Sequence, residues 1–506
     1  MALQNIARRI RMQIRNVIAA MLCIALAGGA FAAGAAQGGS DAPVELVHYV
    51  FSAGDVSDGP EVFALINERL QDRIGATVDF VDVPGGEFEQ RIQVVINSGE
   101  DYDVTFTSNW RNNYHTNVGK GAFADLTDLL PEFAPTIWNT QQGYIDAAKV
   151  AGKIYAVLNE QIFARSRMTR LPYEWADAAG IVPEEYSSRA LAGEDIYDLD
   201  REMRELLAPI MPEGAVFGAL GPQVAWDKTF IVPIIAAEVP GAVQGGAANE
   251  LEVFNQFRSD EFLELLAYTQ ELVDDNLIRN TDLTRETESA RQILAAGLSV
   301  TPIEPGGTYK PGGEEQGAER WQYLYYENQM TPATLTTGGI IATMLAVNSQ
   351  SENIEKSVEY LEQVFSDDEI YMLFHYGIVG RHYNVTNGFL KVVSGSGYNR
   401  GVPWSMGSQF QQLPVEGQPA DVWDLTRELN ASARKSPELG FAFDPTKVTA
   451  EIGQTRSVYT EFVPGLMDGT RPPADYEEFL EKLDDAGAER IIEELQIQID
   501  AWAATR

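Results

Sequence analysis

From Val44 the hydrophobic pattern of the chain switches repeatedly between a strand period and a helix period, and that switching constrains the fold more than any other feature. Val44 to Phe51 is an apolar run of strand type, followed by a Gly/Asp/Pro turn between Gly54 and Pro60. Val62, Phe63, Ile66, Leu70 and Ile74 then share one face at helical spacing, with Gly75 placed to cap the helix. Val78, Phe80 and Val83 alternate as a second strand. Phe88, Ile92, Val95 and Ile96 mark a second helix that stops near Gly99, and Val104 with Phe106 mark a third strand. Strand, helix, strand, helix, strand predicts a parallel sheet joined by right-handed crossovers.

Such sheets bind ligands beyond the carboxyl ends of their strands. The loop after the third strand is therefore the first candidate site, and it reads Thr107-Ser108-Asn109-Trp110-Arg111-Asn112-Asn113-Tyr114. An aromatic plate beside amides, a hydroxyl and an arginine suits a sugar ring, whose C–H face is apolar and whose rim is polar. Ser108, Asn109, Trp110, Arg111 and Tyr114 are the residues expected to touch ligand there.

A chain of 506 residues exceeds what one hydrophobic core serves, so two or more domains are expected. The formal charge of −37 repels nucleic acid and anionic membrane surfaces and excludes phosphate-backbone binding as a main role. The hydrophobic fraction, 45%, is too high for global disorder.

Residues 1–36 are expected to be a signal peptide. Arg8, Arg9, Arg11 and Arg15 form a positive region, Val17 to Ala27 an apolar one, and Ala30-Phe31-Ala32 a small-residue cleavage pattern, with the mature chain beginning between Ala33 and Gln37. The only cysteine, Cys23, lies in the apolar region behind Leu22, a poor context for lipid attachment, so a lipid anchor is not expected. The mature chain then has no disulfide and no thiolate chemistry. Export to the periplasm or to the outer face of the cytoplasmic membrane follows.

Several segments together resemble the family-1 extracellular solute-binding proteins of ABC importers, and are most similar to the oligosaccharide- and aldouronate-binding branch. They are Ser98 to Val104, Gly119 to Thr127, Gly152 to Val157, Tyr376 to Tyr383, Ser436 to Phe441, Ala486-Gly487 and Glu494 to Gln498, in that order along nearly the whole mature chain. The resemblance implies an α/β fold of two lobes, joined by a hinge and closing on a ligand in the cleft between them. It places hinge crossings near Tyr155 to Glu160, Asn328 to Pro332 and Tyr376 to Gly380. Lobe 1 is then 42–157 with 332–376, and lobe 2 is 158–331 with 377–506. It also implies an oligosaccharide as ligand, the permease subunits of an importer as partners, and a monomer without cofactor or metal. Val157-Leu158 stands where relatives commonly have proline, which loosens the first crossing by a residue or two.

Further cleft candidates come from loops beside strand ends. Trp226 closes Gly221 to Trp226 ahead of the apolar stretch Phe230 to Ala237. Glu304 and Tyr309 follow the strand-like run Leu298 to Ile303, and Trp404 sits in the turn-rich Gly401 to Gly407. Tyr323, Tyr325 and Tyr326 alternate across a strand. Phe262, Leu263, Leu266 and Leu272, then Ile293 to Ala296, then Val358, Leu361, Val364 and Phe365, mark helices. Asp475 and Glu478 form a capping-box pattern before two helices broken near Gly487. Arg111, Arg165, Arg167 and Arg170 could pair with a uronate carboxylate, or serve as structural ion pairs.

An exported glycoside hydrolase is one rival. It needs two carboxylates at a fixed separation, which a chain with 74 acids offers everywhere, so abundance carries no weight. No GxSxG, HExxH or P-loop pattern occurs, and His48, His115, His375 and His382 lack metal-ligand spacing, so the chain is not expected to be an enzyme. A receptor for peptides or another small solute is the other rival, because one fold serves many ligands.

Overall fold

The computed structural model describes residues 42–211, 215–278, 299–304, 308–314 and 325–505. The signal-peptide and Cys23 readings, the helix at Ile293 to Ala296, Leu298 and Tyr323 lie outside the described residues. Residues 43–506 form one compact unit.

The predicted alternation is present: β1 (Val44–Ser52), α1 (Gly59–Ile74), β2 (Ala76–Pro84), α2 (Phe88–Ser98) and β3 (Val104–Thr107). Gly75 and Gly99 end the two helices in left-handed conformations, at φ 64° and 70°, as C-caps. β1 pairs in parallel with β2 from Val44 opposite Ala76 to Ser52 opposite Pro84, and with β3 at His48 opposite Val104. Two further strands complete the sheet, β4 (Val157–Leu158) and β5 (Met344–Val347), giving the order β2-β1-β3-β5-β4. β5 runs antiparallel to both its neighbours, with Met344 opposite Thr107 on one side and Leu158 on the other.

Because side chains alternate across a strand, β1 feeds two cores. Leu46 and Val50 join Val62, Ile66 and Leu70 of α1 on one face. Tyr49 and Phe51 join Phe88, Ile92 and Val95 of α2 on the other. The first core also takes Val358, Leu361, Val364 and Phe365 from α4, which follows a helix α3 (Pro222–Thr229) and spans Ile354–Ser366, and Ile370 and Phe374 from α5 (Asp368–Tyr376).

A second core gathers Trp226, Phe257, Phe262, Leu266 and Leu272 with Phe462, Phe479 and Leu483. A third holds Val232, Val239 and Val243 with Phe441, Ile491, Leu495 and Ile499. The C-terminal segment supplies both through α6 (Thr449–Asp468), α7 (Asp475–Asp485) and α8 (Ala488–Ala503).

Some expectations meet a different local structure. Leu263 falls on the solvent side of its helix. Asp475 is the first residue of α7 rather than its cap: Ala474 is the N-cap without a side-chain bond, and the Asp475 carboxylate is held by Arg471 at 3.0 Å. Residues 377–433 were expected with the second lobe, yet Tyr398, Met406 and Ala433 pack in the first core and Val402 packs under the sheet.

Candidate functional site

The loop after β3 is built by its own polar side chains. Ser108 Oγ accepts from the backbone N–H groups of Trp110 and Arg111 (3.2 and 2.8 Å) and donates to the Arg111 carbonyl, which closes the turn. Asn112 takes a left-handed φ of 47°, a conformation asparagine tolerates. Its side chain donates to the Phe106 carbonyl (2.7 Å) and accepts from Asn117 (2.8 Å). Tyr114 is fully buried, and its hydroxyl donates to the Ala148 carbonyl. Ser108 and Tyr114 are thus fixed in the frame of the loop.

Trp110 is 52% exposed. Its indole Nε1 donates to the Ala342 carbonyl (2.7 Å), and the ring lies edge-on to Trp404 (5.9 Å) and Phe106 (6.0 Å). Arg111 lies against it and against Phe51, with its guanidinium carbon 4.9 and 5.1 Å from the two ring centres. Trp110, Arg111 and Trp404 therefore make an aromatic ledge at the carboxyl end of the sheet.

Beside this ledge lies a cavity of about 580 Å³. Asn109 and Asn113 from the β3 loop, and His115 and Thr116 from the short helix Tyr114–Gly119 that Asn113 caps, line one side, with Thr336 to Gly339. Gln223, Trp226, Asp227 and the stretch Phe230 to Ala237 line another, and Glu438, Phe441 and Phe443 a third. Of the nine residues expected to bind ligand, Asn109 and Trp226 are on this lining. Glu304 faces Arg170 (3.5 Å) in a two-stranded pairing with Met168, and the Tyr309 N–H donates to the Ser166 carbonyl (3.0 Å). Neither lines the cavity, whereas their neighbour Thr308 does. Trp226 is 1% exposed, its ring edge-on to Phe257 at 5.7 Å, so it is a member of the second core with a border on the cavity.

The cavity floor is a row of three adjacent chain segments. Arg165 bridges Thr334 in antiparallel fashion, and Thr334 pairs in parallel with Arg434, so the three side chains share one face. Arg165 Nη1 donates to Thr308 Oγ1 (3.1 Å). Arg434 Nε donates to Thr334 Oγ1 and its Nη2 to the Asp227 carbonyl, both 2.8 Å. Its guanidinium also covers the Phe230 ring at 3.9 Å, where Phe230 ends α3 at a φ of 62°. Arg167 forms an ion pair with Asp227, while Arg170 is engaged by Glu327 at 3.0 Å. Burial pulls the Arg165 and Arg434 guanidiniums below the ordinary arginine value.

Glu438 is 3% exposed. Its Oε1 accepts from Ser436 Oγ (2.7 Å), and burial pushes its carboxyl up to about 7. His115 is pulled down to about 4 by burial and is neutral at physiological pH. Glu438, Arg434 and the Thr334 segment carried no periodicity that would mark them in the sequence. Glu438 lies in a segment that carries the family resemblance, Ser436 to Phe441, with nothing local to give it a role. The described residues hold no group of His, Cys, Asp or Glu arranged for a metal ion.

The family model "Domain of unknown function (DUF3502)" matches residues 437–504, the segment from the cavity edge through α8. The chain is 25% identical over 502 residues to a carbohydrate ABC transporter substrate-binding protein of Streptococcus pneumoniae serotype 4 (strain ATCC BAA-334 / TIGR4), covering 95% of this chain and 96% of that one. Among solved structures, the N-glycan transport solute-binding protein NgtS of Streptococcus pneumoniae superposes with a TM-score of 0.73 at 22% identity, over 90% of this chain and 98% of that one. Its complex with Man5GlcNAc superposes at 0.65 and 22% identity, over 92% and 99%. An extracellular solute-binding protein of Bifidobacterium longum subsp. infantis matches at 0.58 and 14%, over 91% and 99%. In its architecture, therefore, the chain has the two-lobe α/β fold of the solute-binding proteins.

Proposed function

We propose that this protein captures an oligosaccharide in the cavity and delivers it to an ABC importer. The observation that carries the reading is the make-up of the cavity wall. Amides and hydroxyls from the β3 loop and from Thr336 to Gly339 face an aromatic and aliphatic wall from Trp226 to Ala237, all beyond the carboxyl ends of a mostly parallel sheet. That mixture suits a ring with an apolar face and a hydroxylated rim. The similar proteins add support, since the relative is named for carbohydrate transport and the NgtS complex holds Man5GlcNAc.

Two lobes close on the ligand in this reading, 43–163 with 333–433 and 171–330 with 437–505. The division follows the fully buried core members, since Ala433 is the last of these in the first core and Phe441 belongs to the third, with Leu439 between them still touching the first. Delivery requires permease subunits in the membrane and an exported receptor, which in this reading acts as a monomer. Among the described residues no helix is long and apolar enough to cross a membrane.

The test is a thermal-shift panel on purified protein: disaccharides of mannose, glucose, xylose, N-acetylglucosamine and galacturonate, set against mixed di- and tripeptides. A ligand that binds only the folded state at a hundred times its Kd stabilises it by about 2.7 kcal/mol. A shift with at least one sugar and none with peptides is the expected outcome. Shifts with peptides alone would replace the carbohydrate reading by the peptide-receptor one.

A further inference from the structure

The charge on the cavity wall runs against that of the molecule. Acids outnumber bases in the chain by 74 to 37. The described lining instead holds four arginines, Arg165, Arg167, Arg434 and Arg456, against two acids, Asp227 and Glu438. Arg456 is paired with Glu238 (3.4 Å), and Arg167 with Asp227. Arg165 and Arg434 form no ion pair among the described residues. Asp227 is the carboxylate that acts on both of them, and it is shared with Arg167. Three guanidiniums around one carboxylate leave two positive charges over. Burial pushes the Glu438 carboxyl up to about 7, so this acid is only half ionised near neutrality and does not restore the balance. Like charges in a partly desolvated place weaken a fold unless an opposite charge answers them.

The donors of the two arginines are within reach of a ligand. Both residues are partly exposed, and both bound the cavity. Arg165 gives Nη1 to Thr308 Oγ1, which leaves Nε and Nη2. Arg434 gives Nε to Thr334 Oγ1 and Nη2 to the Asp227 carbonyl, which leaves Nη1. None of these three remaining nitrogens is shut off from solvent. Thr334 stands between the two arginines on the same face of the floor, so the three donors belong to one small patch.

We propose that the ligand is an acidic saccharide, its carboxylate held on the cavity floor by Arg165 and Arg434. The proposal rests on the carbohydrate reading and deepens it by naming the substrate class. Nε and Nη2 share one edge of the planar guanidinium, and their parallel N–H groups match the two oxygens of a carboxylate. Arg165 therefore grips the acid side-on, while Arg434 adds a single donor and the second positive charge. Of the four arginines considered from the sequence, Arg165 is the one that lines the cavity without an ion pair: Arg111 lies against Trp110 and Phe51, and Arg167 and Arg170 are ion-paired. A neutral sugar could accept from the same N–H groups but would leave both charges unanswered.

The experiment is calorimetric titration of matched sugars: digalacturonate with galactobiose, cellobiouronate with cellobiose, and sialyllactose with lactose. The panel disaccharide that gives the largest thermal shift is titrated beside them. The first two pairs present a uronate and the third a sialic acid, which separates the two sources of a sugar carboxylate. An acidic sugar should be the tightest ligand, at least roughly tenfold tighter than its neutral partner. Its Kd should rise on the order of thirtyfold in Arg165→Gln, with the neutral sugars changed less than about threefold. Arg434→Lys keeps the charge and loses the fork, and should weaken the acid less than Arg434→Gln does. Added sodium chloride should weaken the acidic sugar and spare the neutral one, a measurement on the wild type that stands even where a variant folds poorly. Arg165→Gln removes an unanswered charge, so its melting temperature should not fall. A neutral sugar that binds as tightly as the best acidic one would overturn the proposal and leave the carbohydrate reading standing. An acid preference that Arg165→Gln and Arg434→Gln leave intact would overturn it as well, since the carboxylate would then sit elsewhere. If no sugar of any kind binds the wild type, the carbohydrate reading itself falls, and this proposal with it.

Discussion

His48 and His375 are each 1% exposed, and burial, aided by the nearby charge of Arg400, pulls both down to about 3. Arg400 is itself buried, ion-paired with Asp82 at 2.5 Å, and its guanidinium lies 4.3 Å from the Phe374 ring centre. Both histidines have neutral hydrogen-bond partners: Tyr360 Oη at 2.9 Å for His48 and the Met406 carbonyl at 2.8 Å for His375. In the unfolded chain they titrate near the ordinary 6.5. Below that pH the unfolded state binds protons that the folded state refuses, so stability falls as the solution becomes acid. Each should cost about 2 kcal/mol between pH 7 and pH 5. Glu438 works in the opposite sense, since a carboxyl raised to about 7 binds its proton more readily when folded and favours the folded state as pH drops through that value. Urea melts at pH 7 and pH 5 should therefore show a net loss on the acid side, with the loss reduced in His375→Gln. An equal pH slope in that variant would mean that His375 titrates normally in the folded protein.

At the scale of the secondary elements, α5 ends in a sharp turn. Gly377 follows Tyr376 at φ 78° and ψ −141°, with its N–H donating to the Leu373 carbonyl. A Cβ there would stand 2.3 Å from His382 Nδ1 and 2.9 Å from Tyr398. Both the backbone conformation and the space exclude a side chain, so Gly377→Ala is expected to cost on the order of 3 kcal/mol, read from the midpoint of a denaturant melt. Loss below about 0.5 kcal/mol would show that the turn can re-form around alanine. This segment, Tyr376 to Tyr383, was among those that carried the family resemblance, and its glycine now has a steric reason. β1, α1, β2, α2 and β3 were legible because their periods are local: Leu46 and Val50 alternate with Tyr49 and Phe51, and Val62, Ile66 and Leu70 recur on one helical face. β5 was not legible. All four of its residues are buried, so it shows no alternation, and both partners lie far away in sequence. The candidate site divides in the same way. The Ser108 to Tyr114 loop could be found from the rule of strand carboxyl ends, but the opposite wall is assembled by two-residue pairings such as Thr334 with Arg434, which leave no periodic trace. Trp226 read as a loop aromatic because the segment from Gly221 and Pro222 to Trp226 stands ahead of the apolar stretch Phe230 to Ala237. Those two residues instead start α3, which carries the ring into the second core.

At the scale of the whole molecule, the cavity is lined by the β3 loop on one side and by Trp226 to Ala237 on the other, so enclosing a sugar requires these two walls to approach. Hinge closure is the motion that does this with least disturbance to packed cores. Small-angle scattering should show a smaller radius of gyration when the panel disaccharide saturates the protein. An unchanged radius, with binding confirmed by calorimetry, would rule out closure. The placement of β5 has a consequence of another kind, for the order in which the chain can acquire its structure. Because Met344 to Val347 is wedged between β3 and β4, a chain growing from its N-terminus cannot finish its first sheet until that late segment has been made. Until then β3 offers an unpaired edge, and pairings of such long sequence separation form slowly. A polypeptide built this way leaves its first sheet incomplete until residue 347 has been made, and incomplete folding is the condition a chain must keep if it is to be threaded across a membrane.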